Sequence, residues 1–177
     1  EGKKKEQHAG LSKSYITEYS YGVLETLNLF IPRFTGGANN ENLGKESHTY
    51  AFLASQIDQR QALIIQRLKA YFSENVPTYW GSQPFVAAPA YIGAIFVFLF
   101  VLGLFLVDGS LKKWLVATTV FSIVLSWGHN FSLLTDFFIE YVPLYTKFRA
   151  VSSVQVLAEI AIPLLGMLAL NAFVFSD

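Results

Sequence analysis

The run Ala87–Val107, "AAPAYIGAIFVFLFVLGLFLV", carries no charged residue over 21 positions. A helix needs about 20 mainly apolar residues to cross the hydrocarbon core of a bilayer, whereas apolar runs of about 10–14 residues are more typical of core helices. Because the run meets the longer requirement, it predicts a membrane-spanning helix. The alternative, a core helix of a soluble protein, fits its length and lack of charge less well.

Two later segments resemble this run. Leu111–Trp127 is shorter and begins with two lysines, whose long side chains can reach the membrane surface while their stems stay in the apolar layer. Val154–Phe175 is long enough to span, although it contains Glu159 and Pro163. The pattern predicts a mainly α fold, with residues 87–177 forming a polytopic helical membrane segment of about three transmembrane helices.

The links between these segments indicate their arrangement. Asp108–Ser110 is so short that the first two helices should form a hairpin. The longer link Gly128–Ser153 contains residues 131–142, "FSLLTDFFIEYV", where apolar residues recur at helical spacing and Asp136 and Glu140 lie four apart on the opposite face. This pattern predicts a short amphipathic helix that lies in the plane of the membrane surface.

Residues 1–86 form a more polar segment of mixed and helical character. Nine of the 13 Lys and Arg residues precede residue 89, and an amphipathic helix is expected over Tyr50–Phe72. The chain has no cysteine, which excludes disulfides and thiolate metal sites. Its net charge is zero, so no overall electrostatic attraction for nucleic acid is expected. It has no initiator Met or signal pattern, and we interpret it as a piece of a larger membrane protein.

Six stretches of the chain resemble the YfhO family of bacterial integral membrane proteins. In chain order they are "NLFIPRFTGGA", "PTYWGSQPF", "YIGAIFVFLFVLGLFLV", "SIVLSWGHNF", "LTDFFIEYVPLYTKFRAVSS" and "AEIAIPLLGMLAL". Together they cover most of residues 20–170. This family resembles the C-type (GT-C) glycosyltransferases, which have many membrane helices and large extracytoplasmic loops and use a polyprenyl-phosphate-linked sugar as donor.

The resemblance implies an orientation that charge counting leaves open, because each of the two short loops carries two Lys or Arg residues. It places residues 1–86 and the loop 128–153 outside the cytoplasm and the link 108–113 inside, in a bacterial inner membrane. The implied partners are membrane lipids, a polyprenyl-phosphate-linked sugar and the remaining helices of the full-length protein.

Lys147 and Arg149 are the last Lys and Arg residues of the chain. On the implied orientation they lie on the outer side, where the insertion bias does not favour them. One interpretation is recognition of a lipid-linked phosphate, since arginine offers a planar fork to phosphate oxygens and lysine a point charge. The other is a pair of membrane-surface anchors that neutralise Asp136, Glu140 or phospholipid headgroups.

Asp136, Glu140 and Glu159 are the candidate catalytic carboxylates, because this chemistry needs a carboxylate to orient or deprotonate the acceptor hydroxyl. A carboxylate inside a membrane segment is costly, which makes Glu159 a functional hypothesis by default, and Pro163 is expected to kink its helix. The alternative for the first two is the polar face of the interfacial helix. The resemblance places the usual catalytic Asp upstream of this chain, so the fragment alone is expected to be inactive.

Trp80, Gln83 and Phe85 suggest part of a wall that binds the sugar or the acceptor, and His129, at the end of the second helix, is a further candidate. For Trp80 the alternative is an aromatic belt at the water boundary, and for His129 an ordinary interface hydrogen bond. No cofactor or metal site is indicated, although the carboxylates are compatible with a divalent metal.

The leading hypothesis is a fragment of a bacterial membrane glycosyltransferase-like protein. It would transfer a sugar from a polyprenyl-phosphate-linked donor to a cell-envelope acceptor. The first alternative is a transporter or flippase for a lipid-linked or anionic substrate, which would need the same outer cations and an intramembrane carboxylate. The second is a non-catalytic membrane scaffold.

Overall fold

The computed structural model describes residues 11–44, 46–57, 61–74, 76–147 and 149–175. Within these ranges the chain is mainly helical and has no strand, and one isolated antiparallel bridge joins Glu41 to Val76. The predicted mainly α fold is therefore confirmed.

Seven α-helices lie within the described ranges, and we number them in chain order. They are α1 (Lys13–Ile16), α2 (His48–Ser55), α3 (Ala62–Glu74), α4 (Ala94–Leu106), α5 (Ser110–Ser126), α6 (Ser132–Tyr141) and α7 (Val156–Phe175). Short 3₁₀ helices cover Leu24–Leu29, Gly128–Phe131, Tyr145–Lys147 and Val151–Gln155.

Helices α4 and α5 both pack against α7, and the three form a helical bundle. The buried face of α7 consists of small and aliphatic residues spaced three or four apart, namely Ala158, Ala161, Ile162, Leu165 and Ala169. Two glycines let α4 approach this face closely. A Cβ atom at Gly103 would lie 3.0 Å from Leu165 Cγ, and one at Gly166 would lie 3.1 Å from Leu99 Cβ. Small residues at the contact and large ones outside are typical of membrane helix pairs.

The outward faces of the bundle carry large apolar side chains. Exposed examples are Ile95, Phe98, Phe105, Trp114, Ile160, Met167 and Phe173. A monomeric protein in water rarely exposes apolar surface of this extent. The bundle therefore buries small residues and exposes large apolar side chains, a distribution that suits a lipid environment.

One helical stretch in the described part of the chain, Val151–Phe175, is long and apolar enough to cross a membrane, with 25 residues and a mean hydropathy of 2.0. It joins the last 3₁₀ helix to α7. Helix α4 is strongly apolar but has only 13 residues, and α5 has 17. The three predicted transmembrane segments thus all contain a helix, and one of them meets the length of a complete span.

Helix α4 begins seven residues later than the apolar run Ala87–Val107 predicts. Gly93 has φ +108, which lies outside the helical region and is open to glycine at low cost. Just before it, the N–H of Ile92 donates to the carbonyl of Leu29 at 3.1 Å. Residues 87–93 therefore form a non-helical link to the N-terminal segment, although they are as apolar as a membrane helix would require.

The predicted single helix over Tyr50–Phe72 is two helices in the structure, α2 and α3. The ring of Tyr50 packs edge to face on that of Phe72, with centroids 5.7 Å apart at 64°, and both side chains are buried. One continuous helix would separate these residues by about 33 Å. Because the two aromatic rings bury each other, the chain folds back between the helices.

Helix α6 occupies the stretch where the sequence predicts an interfacial helix. Its buried and exposed faces, however, differ from the predicted apolar and polar faces. Thr135 is buried and donates to the carbonyl of Gly128 at 2.8 Å. Phe137 and Tyr141, two of the apolar residues at helical spacing, are 53% and 65% exposed. Since Thr135 satisfies its hydroxyl internally, a polar residue takes the buried position, and large aromatic rings remain on the surface.

Residues 15–29 lie across one end of the bundle. The N–H of Tyr21 donates to the carbonyl of Ser126 at 3.0 Å, and the N–H of Ser152 donates to the carbonyl of Tyr19 at 3.1 Å. These bonds join the segment to the end of α5 and to the start of the long apolar stretch. The start of α4 is at the same end, so the α4–α5 link is at the opposite end.

An arginine–carboxylate pair holds the loop that follows residue 32. The two guanidinium nitrogens of Arg33 donate to the two carboxylate oxygens of Glu41 at 2.7 and 2.8 Å, and the hydroxyl of Thr78 also donates to Glu41. The bonds from Arg33 and Thr78 lower the pKa of Glu41 from 4.5 to about 2. The pair also holds the bridge between Glu41 and Val76.

Stability should therefore fall in acid. The Glu41 contribution is complete above its unfolded pKa of 4.5 and is lost as the pH falls toward its folded pKa of about 2. In the wild type we expect the free energy of unfolding to fall by on the order of 1 kcal/mol over this pH interval, a value that allows for solvent screening. Glu41→Gln should abolish this fall. The measurement is thermal unfolding in detergent across that pH interval. Arg33→Ala should flatten the curve in part, because the bond from Thr78 remains, and an unchanged acid slope in both variants would contradict the assignment.

Candidate functional site

Arg149 is held by three side chains of the N-terminal segment, which we call the Arg149 clamp: Tyr15, Glu18 and Tyr19. Arg149 Nη2 donates to Glu18 Oε2 at 2.8 Å. The guanidinium carbon lies 4.5 Å from the ring centroid of Tyr15 and 5.3 Å from that of Tyr19. The bond to Glu18 is the main reason that the pKa of Arg149 is raised above its usual value.

The clamp gives Arg149 a different carboxylate partner from those that the sequence predicted. The carboxylate beside Arg149 is Glu18, not Asp136 or Glu140. Asp136 is paired instead with Lys13 at the start of α1. Both pairs join the N-terminal segment to residues that follow α5, and such distant partners are invisible to local spacing. Lys147 lies on the same loop, where its N–H donates to the carbonyl of Leu144 at 2.9 Å.

An apolar cavity of about 440 Å³ opens beside this loop. It is lined by Ile16, Phe121, Leu125, Phe138, Val142, Tyr145, Ala150, Val151, Ser153, Val154 and Leu157. Tyr15 and Arg149 each directly precede a lining residue, so the clamp is at the border of the cavity. The hydroxyl of Tyr145 is buried without a hydrogen-bond partner among the described residues, and burial raises its pKa.

A second centre forms around Glu25, whose side chain is 3% exposed. One carboxylate oxygen, Oε2, accepts from the N–H of Gly22 at 2.9 Å and from Ser82 Oγ at 2.9 Å, and the other accepts from the hydroxyl of Tyr79. No Lys or Arg of the described ranges forms an ion pair with it. Burial and the Glu25 carboxylate together raise the pKa of Tyr79. The Tyr79 hydroxyl is therefore directed to the buried Glu25 carboxylate.

A groove of about 450 Å³, the Glu25 groove, lies over this centre. Its lining residues are Gly22, Val23, Leu24, Glu25, Thr35, Trp80, Gly81 and Ser82. The indole of Trp80 is 67% exposed but held in place, because its backbone N–H donates to Thr35 O at 3.0 Å and its ring packs on Phe34 with centroids 6.2 Å apart. The groove therefore has an aromatic wall and a buried carboxylate at its base.

Gln83 also belongs to this neighbourhood. Its N–H donates to the hydroxyl oxygen of Tyr79 at 3.0 Å. Burial raises the pKa of Tyr21, and the side chain of Gln83 partly offsets this effect. The negative charges of Glu25 and Glu159 raise the pKa of Tyr21 further. Glu159, in the first turn of α7, is thus within electrostatic reach of the segment that carries Glu25.

His129 takes a different position. Its N–H donates to Ser20 Oγ at 3.2 Å, and its Nδ1 lies 3.3 Å from the carbonyl oxygen of Thr17. It therefore joins the start of α6 to the N-terminal segment, as expected of an interface residue. Glu140 is exposed on α6. No three His, Asp or Glu side chains converge on a metal site in the described part of the chain.

The sequence patterns do not point to Glu25. It lies in "VLETLNLF", where a single carboxylate reads as the exposed side of a strand or helix. The one available signal is that Glu25 is the only charged residue in this mainly apolar stretch. A carboxylate that is buried with its apolar neighbours needs several hydrogen-bond donors, which marks it for closer inspection.

No family model, curated protein or solved structure matches this chain. The two sites that bear on function are the Arg149 clamp with its cavity and the Glu25 groove.

Proposed function

We propose that the chain is part of a polytopic bacterial inner-membrane protein of YfhO type. In this proposal the whole protein transfers a sugar from a polyprenyl-phosphate-linked donor to a cell-envelope acceptor at the outer face of the membrane. Residues 1–86 and the loop 128–153 lie outside the cytoplasm, and α4, α5 and α7 lie in the membrane.

The observation that carries the proposal is the apolar cavity beside the Arg149 clamp. A polyprenyl phosphate has an apolar chain and an anionic head, and these two features match an apolar cavity with cations at its border. The chain enters between α5, α6 and the start of α7. The phosphate contacts Arg149 and Lys147, which supply charge-assisted hydrogen bonds. The exposed end of the bundle is where the head group of a lipid lies.

Glu18 regulates this contact by competition. It occupies part of the guanidinium fork of Arg149 at 2.8 Å. A phosphate carries the same type of oxygen acceptors as a carboxylate, so it replaces Glu18 or shares the fork with it. Tyr15 and Tyr19 keep the guanidinium plane in position during the exchange.

Asp136, Glu140 and Glu159 remain the carboxylates of this chain that are proposed to assist the acceptor. Glu159 lies in the first turn of α7, at the end of the bundle where the N-terminal segment lies. The principal catalytic carboxylate is proposed to lie in another part of the full-length protein, and no transfer is expected from this chain alone.

The first test is lipid binding by the purified chain in detergent. We expect Arg149→Ala to weaken binding of a polyprenyl phosphate about tenfold, because a charge-assisted contact to phosphate is lost. Glu18→Gln should strengthen binding, since it removes the competing carboxylate. The readout is native mass spectrometry, with the uncharged polyprenol as a second ligand that Arg149→Ala should bind as the wild type does.

Arg33→Ala is the matched control, because Arg33 is also paired with a carboxylate but belongs to the loop near Val76. It should leave lipid binding unchanged. Equal binding of polyprenyl phosphate by the wild type and Arg149→Ala would refute the phosphate site. In membranes that contain the full-length protein, sugar transfer separates the transferase from a flippase, which would move the lipid without transferring its sugar.

A further inference from the structure

The Glu25 groove presents a fixed aromatic surface to solvent. The indole of Trp80 packs on Phe34 from one side and is 67% exposed. Gly36 contributes to this position, because a Cβ atom there would lie 3.1 Å from Trp80 Cδ1 and 1.8 Å from the carbonyl oxygen of Thr78. A rigid, exposed indole loses little conformational entropy when a flat ligand stacks on it.

Glycines bring the backbone close to the carboxylate at the base of the groove. A Cβ atom at Gly81 would lie 2.5 Å from Glu25 Oε1, and one at Gly22 would lie 2.9 Å from Ser82 Oγ. Side chains at these positions would displace Ser82 or Glu25. The base of the groove therefore keeps a carboxylate and a hydroxyl next to the indole.

These features select the chemistry of the ligand. A pyranose ring has an apolar C–H face, which stacks on an indole, and a rim of hydroxyl groups, which can bond to the exposed Ser82 hydroxyl. Glu25 forms no ion pair with any Lys or Arg in the described ranges, so its charge disfavours anionic ligands. Val23 and Leu24, 51% and 71% exposed, extend the apolar wall for a neighbouring ring.

We infer that the Glu25 groove binds a neutral saccharide, with one pyranose ring stacked on Trp80 and its hydroxyl groups directed to Ser82, whose hydroxyl the buried Glu25 carboxylate holds in place. This site does not depend on the proposed lipid-phosphate site, because it uses different residues and an uncharged ligand. If both sites exist, the saccharide in the groove is a candidate acceptor for the transferred sugar.

The experiment titrates the purified chain with the neutral trisaccharides maltotriose, cellotriose and triacetylchitotriose and follows binding by isothermal titration calorimetry, which does not depend on Trp80 as a reporter. The detergent must lack a sugar head group, since a maltoside would itself occupy the groove. We expect a saturable change with at least one trisaccharide, in the millimolar range of single-ring stacking, and about tenfold weaker binding by Trp80→Ala. Trp114→Ala, which removes an equally exposed indole from α5, should bind as the wild type does.

Glu25→Gln provides the second arm. It keeps an oxygen acceptor but removes the charge, so it should reduce the preference for neutral saccharides over trigalacturonate, an acidic trisaccharide. Arg149→Ala should leave saccharide binding unchanged, which separates this site from the lipid-phosphate site. The inference is overturned if no trisaccharide gives a saturable change. It is equally overturned if Trp80→Ala, with a circular dichroism spectrum like that of the wild type, binds with unchanged affinity.

Discussion

Gly128→Ala is expected to cost about 3 kcal/mol of unfolding free energy and to loosen the N-terminal segment from the bundle. Gly128 has φ +48, where a side chain strains the backbone. Its Cβ atom would lie 2.0 Å from Ser20 Oγ and 2.6 Å from Val151 Cγ2. The strain and the clash add, because Ser20 is itself held by its bond to Thr17 O at 2.7 Å. Thermal unfolding in detergent measures the loss.

Gly44→Ala is the control for the backbone part of this effect. Gly44 also has a positive φ, +69, but a Cβ atom there would lie 4.0 Å from its nearest atoms. It should therefore lose only the backbone contribution, about 1 kcal/mol. Equal losses in the two variants would show that the close approach of Gly128 to Ser20 does not exist.

Gly103→Leu is expected to separate α4 from α7 and to cost about 3 kcal/mol. The Cβ atom alone would lie 3.0 Å from Leu165 Cγ and 3.1 Å from the Leu165 carbonyl oxygen. A leucine adds three further carbons at the point where the helices are closest. Since Leu165 is fully buried, it has no space into which to move. The midpoint of thermal unfolding in detergent should fall accordingly.

Ala117→Leu adds the same three carbons at an exposed position of α5. Its unfolding midpoint should remain close to that of the wild type. If Gly103→Leu were as stable as Ala117→Leu, the contact between α4 and α7 would not depend on small residues, and the bundle would have a different core.

The two proposed sites share the N-terminal segment. Tyr15, Glu18 and Tyr19 surround Arg149, and Gly22 and Glu25 follow a few residues later in the groove. One short segment thus lies across the bundle end and contributes different residues to the two sites. This arrangement supports the proposal that a lipid-linked donor and a saccharide meet at this end of the bundle.

Local sequence patterns predicted the helices well where neighbours in sequence decide the structure. The predicted second and third membrane segments and the interfacial stretch coincide with α5, α7 and α6 to within one or two residues. Apolar periodicity and chain length are local properties, and a helix forms its hydrogen bonds between residues four apart. The late start of α4 is the exception, because Ile92 bonds to Leu29 and not to its own helix.

The sequence by itself determined that this chain is helical, that its second half is strongly apolar, and that two cations precede the last helix. Only the tertiary structure decided what surrounds those cations: Glu18, 131 residues from Arg149, and an apolar cavity. It also decided that Glu25 is a buried acceptor beneath an exposed indole, 55 positions along the chain at Trp80. The physical reason is the same in both cases. A charged side chain takes whichever partner the fold brings within hydrogen-bond distance, and that partner is not encoded in the residues beside it.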